Sequence, residues 1–292
     1  MQPTTQLSQD DLYQALLDRK SVRRYDSRRL SEETLTRIRE SIAQVTPLVP
    51  ANRFNVLVRD VATSEDLVEA LGGYGRLLSP PHFLVPTIIG ETHLLEDLAY
   101  RTQQVVMALT LLGLGACYIG SLGRESTLRV RFLLKREARV GAIVIFGSPT
   151  VALADRTMNA ALRAAMGSNH RLPVEQIFFD ASFDRPAAPP ETLSPLIEAA
   201  RHAPSALNVQ PWRFLWHKGQ LTLFVQKANP KYGSGEKQAY SFFDGGLCMA
   251  NLSLAMQALK LSGQWVLLDE AEADLPSYPE TLLPIARLQL ER

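Results

Sequence analysis

Apolar residues run through the same succession of rhythms twice along this 292-residue chain. Near the start, Leu12, Ala15, Leu16 and Leu17 recur at helical spacing. The string Arg29-Leu30-Ser31-Glu32-Glu33-Thr34-Leu35-Thr36-Arg37-Ile38 then opens on turn residues and an acidic first turn, which predicts a second helix. A proline-containing turn leads into a strand at residues 54–60. An apolar helix rich in Ala, Leu and Met is expected at 96–114, ahead of a strand at 141–147.

The second series begins at Pro189-Pro190-Glu191-Thr192-Leu193-Ser194-Pro195-Leu196-Ile197, where Glu191-Thr192-Leu193 repeats Glu33-Thr34-Leu35 about 158 positions further on. Strands are expected at 214–217 and 221–226, either side of the Lys218-Gly219-Gln220 turn, then an apolar helix at 244–261 and a strand at 285–290. A long unit present twice points to duplication rather than to a solenoid, which needs several short repeats. Chance likeness of two α/β segments is the other explanation of the pattern. Asp184-Arg185-Pro186-Ala187-Ala188-Pro189-Pro190 reads as an extended linker. The expected division is a first half of residues 1–176 and a second of 177–292.

Composition narrows the class. With 46% hydrophobic and 21% charged residues the chain has a soluble globular make-up, and its formal charge of +1 argues against a nucleic-acid binder. The uncharged run 105–120 is 16 residues long and holds three glycines, short of the roughly 20 a bilayer requires. A buried helix is expected there, not a membrane span. The first ten residues lack the basic start and apolar core of a secretory signal, and Cys117 and Cys248 show no CxxC spacing. His82, His93, His170, His202 and His217 show no ligand spacing either. A cytoplasmic protein without a disulfide framework or bound metal is expected.

Two strings carry candidate chemistry. Arg19-Lys20-Ser21-Val22-Arg23-Arg24-Tyr25 places Arg19, Lys20, Ser21 and Arg23 within five residues. Guanidinium forks meet phosphate oxygens in pairs and serine adds a short donor, although a basic cluster at a helix end also serves the helix dipole and water. Ala203-Pro204-Ser205-Ala206-Leu207-Asn208-Val209-Gln210-Pro211-Trp212 fixes two turns with its prolines and offers polar groups at Ser205 and Asn208. Its plain alternative is a helix exit into a strand. The stretch from Gly113 to Gly123 imitates two nucleotide motifs and fits neither. Tyr118 stands where a dinucleotide fingerprint needs glycine, and Ser121 where a P-loop needs lysine. On its own it reads as a helix end and a turn.

Together the basic string and the Pro-Ser-Ala-Leu-Asn string resemble the two flavin-contacting segments of the nitroreductase family, FMN-dependent oxidoreductases. In that family both occur close together in one short chain, and two chains share each FMN. Here they lie about 185 positions apart. The resemblance therefore implies an α+β nitroreductase-like fold of two tandem degenerate repeats, each with a mostly antiparallel sheet. The repeats would form an internal pseudo-dimer through their central helices, so that the chain acts as a monomer.

For FMN the resemblance implies Arg19 and Arg171 at the phosphate, the latter in Asn169-His170-Arg171-Leu172-Pro173, with Lys20 and Ser21 beside them. Arg23 would reach the pyrimidine edge, where positive charge stabilises the reduced ring. Gly120 and Ser121 would lie beside flavin N5, with Pro204, Ser205, Ala206 and Asn208 around the ring. Arg76, in Gly73-Tyr74-Gly75-Arg76, is a lesser candidate for the flavin edge. Tyr240, Phe242 and Phe243 are the candidate acceptor pocket, and an aromatic cluster entering a helix can equally be core.

Each half has lost what the other keeps. Thr46-Pro47-Leu48-Val49-Pro50-Ala51-Asn52-Arg53-Phe54 retains the turn of the ring string without its chemistry. Phe179-Asp180-Ala181-Ser182-Phe183-Asp184-Arg185 has two acids and one base where a second phosphate string belongs. One complete composite site and one abandoned site are expected per chain. The implied activity is NAD(P)H-dependent reduction of a small electron acceptor, a nitroaromatic or quinone, in ping-pong order and with no catalytic side chain. The alternatives are an FMN storage or sensor protein without significant turnover, and an FMN-free relic of the fold.

Overall fold

A computed structural model describes residues 9–61, 68, 71, 78, 80–165, 167, 170–268 and 275–291. Helices α1 (Gln9–Asp18) and α2 (Glu32–Ala43) precede strands β1 (Arg53–Asp60) and β2 (His82–Ile89). The long helix α3 (Leu94–Leu111) follows, then β3 (Gly115–Gly120), α4 (Glu125–Arg131), β4 (Ala142–Gly147) and α5 (Leu153–Ala165). The rest of the chain forms β5 (Phe178–Asp180), α6 (Ser194–Arg201), β6 (Trp212–His217) and β7 (Gln220–Gln226). It ends with α7 (Tyr240–Leu259), β8 (Gly263–Leu267) and β9 (Leu282–Leu290). One sheet is antiparallel throughout, in the order β1-β2-β4-β3; the other runs β5-β6-β7-β9-β8 and only its β5–β6 pair is parallel. This is the expected α+β class.

Local chemistry explains the elements. Ser31 caps α2, its hydroxyl accepting from Thr34 N at 3.2 Å, and Glu32 and Glu33 meet the positive end of the helix dipole. The helix then lays Leu35 and Ile38 on the first sheet, against Leu84, Val144 and Phe146. In the second half α6 does the same with Leu196, Ile197 and Ala200 against Phe214 and Leu223. α7 is buried on almost every side, which is why its apolar residues follow no single stripe.

The two long helices pack on each other through small residues. A Cβ at Gly246 would lie 2.8 Å from Glu96 Cα and 2.9 Å from Ala99 Cβ, so the helices touch backbone to backbone there. Beside this crossing runs a buried polar chain. Tyr118 Oη donates to Gln103 Oε1 at 2.8 Å, Gln103 Nε2 to Asn251 Oδ1 at 2.8 Å, and Asn251 Nδ2 to Ala199 O at 2.8 Å.

Three expectations need amendment. The run 105–120 is no single helix: α3 ends at Leu111, Gly113 turns the chain at φ 75°, and residues 115–120 pair with β4 as a strand. A left-handed glycine stops the helix, and the sheet then satisfies the backbone groups. Residues 184–190 are extended but pinned, because Pro186 bridges Phe179 and Ala187 N donates to Phe178 O at 3.1 Å. Helix α1, early in the chain, packs into the second core, where Leu16 joins the apolar cluster that holds Phe178, Leu196, Trp212 and Leu252, and Tyr13 Oη donates to Pro195 O at 2.9 Å. Among the described residues no helix is long and apolar enough to cross a membrane.

Candidate functional site

A cavity of about 410 Å³ draws its walls from both ends of the chain, within the range of small-molecule sites. The segment after α1 gives Arg19, Lys20, Ser21 and Arg23; β3 gives Cys117, Tyr118, Ile119 and Gly120. Arg163 of α5, Arg171 and residues 204–208 continue the wall. Tyr232, Tyr240, Phe243, Asp244 and Leu247 close it, with Leu71 and Ala142. Backbone pairing explains the meeting. Ser21 bridges Ala116, Val22 N donates to Ala116 O at 3.0 Å, and a Cβ at Gly115 would lie 2.7 Å from Val22 Cβ. The basic segment therefore lies directly against β3.

The basic end is short of anions. Arg19 and Arg23 are only 8% and 6% exposed, yet Arg19 Nε and Arg23 Nε and Nη1 have no hydrogen-bond partner. No carboxylate among the described residues lies within ion-pair distance of either. Burial lowers the proton affinity of Arg19, and burial together with neighbouring Arg19 brings Arg171 down to about 10. Unpaired buried cations cost several kcal/mol each. An anion is what this end lacks. Arg171 also donates to Asn208 Oδ1 at 3.1 Å, which ties the basic end to the loop opposite.

That loop holds unusual backbone. Leu207, Asn208 and Gln210 have φ of 51°, 53° and 53°, the left-handed region that side chains disfavour. Compensating bonds hold it: Gln210 N donates to Ser205 Oγ at 3.0 Å, and Asn208 Nδ2 donates to Gly167 O at 2.7 Å and His170 O at 2.9 Å. Ala206 N donates to both oxygens of Asp244 at 3.0 Å, and Tyr232 Oη donates to Asp244 Oδ2 at 2.7 Å. Ser205 and Asn208 thus line the cavity while bracing its wall. Asp244 is fully buried, and burial pushes its carboxyl up to about 7 against the pull of Tyr232 and Ala206. Tyr240 Oη accepts from Leu122 N at 3.0 Å, and its ring lies so close to Gly120 that a Cβ there would sit 2.9 Å from Tyr240 Cζ.

The structure brings together Arg19, Lys20, Ser21, Arg23, Gly120, Arg171, Pro204, Ser205, Ala206, Asn208, Tyr240 and Phe243. It does not bring Ser121 to the cavity: its N–H donates to Gly141 O at 3.0 Å and its hydroxyl to Val140 O, so both groups face the sheet. Phe242, next to Phe243 but about 100° round the helix, packs into the flanking apolar clusters instead. Arg76 lies outside the described residues. Sequence reasoning missed Asp244, Tyr232, Cys117, Tyr118 and Arg163. A lone acid inside an apolar helix was a usable signal for Asp244. Arg163 gave none.

The loop ahead of β1, residues 46–52, is built similarly but is closed. Leu48 N donates to Asp97 Oδ1 at 2.9 Å, much as Ala206 N does to Asp244. Asp97, however, is taken by Arg101 through two bonds of 2.9 Å, and Arg101 donates further to Val49 O at 2.9 Å and Asn52 O at 3.2 Å. A second hollow, about 680 Å³, lies between this loop and β8 and is walled by Thr46, Leu48, Gln104, Gln257, Trp265 and Glu291, among others. Its lining holds no arginine or lysine. Asp180 faces Arg185 at 3.8 Å. A phosphate would find no cation in that hollow.

Residues 11–234, most of the chain, match the family model described as "Putative TM nitroreductase". The chain belongs to this family. A "putative nitroreductase" of Thermotoga maritima resembles this chain at a TM-score of 0.56 and 18% identity, over 95% of this chain and 92% of that one. An FMN-dependent nitroreductase of Clostridium difficile covers 47% of this chain and 87% of its own, at 20% identity and a TM-score of 0.41. Nitroreductase A of Vibrio parahaemolyticus covers 48% and 69%, at 19% and 0.41. No curated protein matches. Likeness at such identity speaks for the fold alone, and membership of the family places the chain among oxidoreductases in general terms.

Proposed function

We propose that this chain binds one FMN and is an oxidoreductase that takes hydride from NAD(P)H and reduces a nitroaromatic or quinone-like acceptor, in ping-pong order. The observation that carries the reading is the pair of buried, unpaired guanidiniums of Arg19 and Arg23 on the wall of one cavity. FMN fits that wall, because it brings a phosphate of roughly two negative charges and a ring whose reduced form is anionic. Arg19 and Arg171 would hold the phosphate with Lys20 and Ser21, and Arg23 the pyrimidine edge. Gly120 and residues 204–208 would flank the ring. When bound, FMN supplies the hydride chemistry, so the protein's part is binding, orientation and exclusion of water.

The chain's own groups suit that part. Tyr240, Phe243 and Leu247 make one wall apolar. Asp244 and Tyr232 fix the strained loop, and the absence of a side chain at Gly120 leaves Tyr240 its place. The pairs Leu48–Asp97 and Ala206–Asp244 support descent of the two halves from one unit, with 1–176 and 177–292 as their spans. In this reading α1 reaches across, as an arm of one half inside the core of the other.

The test is an anaerobic absorption spectrum of protein loaded with FMN and desalted, recorded before and after NADH or NADPH. A flavin band that bleaches supports the oxidoreductase. A bound flavin that stays oxidised favours storage or sensing, and a colourless protein refutes the site.

A further inference from the structure

Helix α5 is fastened to the basic segment by a single buried residue. Among its described side chains only Asn159 is buried. Asn159 Oδ1 accepts from Arg23 N at 2.9 Å and Arg24 N at 3.0 Å, and its Nδ2 donates to Arg24 O at 3.2 Å. One turn further on, the same helix face carries Arg163, which lines the cavity. No hydrogen bond or ion pair among the described residues engages its guanidinium. The cavity then has five cations, Arg19, Lys20, Arg23, Arg163 and Arg171, against one acid, Asp244, whose oxygens are already bonded to Ala206 and Tyr232.

The placement of FMN above engages four of them, Arg19, Lys20 and Arg171 at the phosphate and Arg23 at the ring, and leaves Arg163 without a role. Arg19 and Arg171 line the cavity together, and the charge of Arg19 lowers the proton affinity of Arg171. Arg163 lines the same space from a separate element, helix α5. It is also half-exposed and carried by a surface helix, where Arg19 is deeply buried. We infer that Arg163 docks an oxyanion of the co-substrate, a phosphate or a carboxylate, rather than the phosphate of FMN. This rests on the FMN reading above. Its consequence is selectivity for acidic electron donors or acceptors over neutral ones of the same redox chemistry. The fork of an arginine suits either oxyanion.

The experiment compares wild type with Arg163→Gln and Arg163→Lys, each loaded with FMN and desalted. Four partners are used: 4-nitrobenzoate and nitrobenzene as acceptors, NAD(P)H and an uncharged N-propyl dihydronicotinamide as donors. Flavin content is read first, 4-nitrobenzoate affinity is then read by titration of the flavin spectrum, and KM and kcat follow. All three proteins should retain flavin. In Arg163→Gln the Kd or KM of one acidic partner should rise roughly 10- to 100-fold, as expected for a lost charge-assisted bond, with neutral partners changed less than about twofold. Arg163→Lys should recover part of the loss. The partner that moves identifies the source of the oxyanion, the acceptor or the dinucleotide. An equal rise for acidic and neutral partners, or no rise for any, overturns the assignment. Flavin loss in Arg163→Gln alone would make Arg163 part of the FMN site and overturn it too. A colourless wild type removes the reading beneath the proposal and the proposal with it, before any substrate is added.

Discussion

Two residues bear the sharpest consequences. Arg19 is a buried cation with an orphaned Nε, so Arg19→Glu replaces attraction for a phosphate by repulsion. FMN affinity should fall at least about 100-fold, read by quenching of flavin fluorescence, given roughly 1.5–3 kcal/mol for each charge-assisted bond lost and the repulsion added. Asp244 predicts a pH effect. Burial pushes its carboxyl up to about 7, above the ordinary carboxylate range, so the folded protein holds this proton where the unfolded chain has released it. The stability this adds is complete below about 4 and is lost as pH rises through 7. Asp244→Asn in the flavin-free protein should therefore raise Tm over wild type at pH 8 and match it near pH 4. An identical gain at both values would show that charge is not the cause. Arg19 could be read from the sequence because R-x-S-x-R is a local string. Tyr232 could not, because only its contact with Asp244, made in the folded chain, gives it a part.

At the scale of elements, periodicity foretold most of what forms. The alternation at 54–60 and 221–226 became β1 and β7, and the acidic turn after Ser31 became α2. Residues 115–120 misled because a run without charges has no period to separate a helix from a buried strand. Their identity was settled by pairing with β4. The crossing of α3 and α7 depends on one missing side chain. Gly246→Ala should destabilise the protein by about 1–3 kcal/mol in urea, since the new methyl would meet the backbone at Glu96, outweighing alanine's better helix propensity. Unchanged stability would mean that the helices can part there without loss.

At the scale of the whole molecule, two loops of like construction have met different fates. One lies open beside five cations, and the other is filled by the Asp97–Arg101 pair. The expected stoichiometry is one FMN per chain, and Asp180→Arg should leave FMN retention unchanged; a ratio approaching two, from flavin absorbance against protein, would refute the closed site. The sequence by itself determined the residues that carry charge and turn chemistry, Arg19 to Arg23 and Pro204 to Asn208, because those depend on neighbours along the chain. It determined equally the rhythm of helices and strands. Tertiary structure alone decided that Ser121 faces the sheet, that α1 crosses into the second core, and that Arg163, Tyr232 and Asp244 share one cavity. The reason is physical. Burial and hydrogen-bond partners decide whether a polar group braces the protein or is left for a ligand, and both are set by residues distant in sequence.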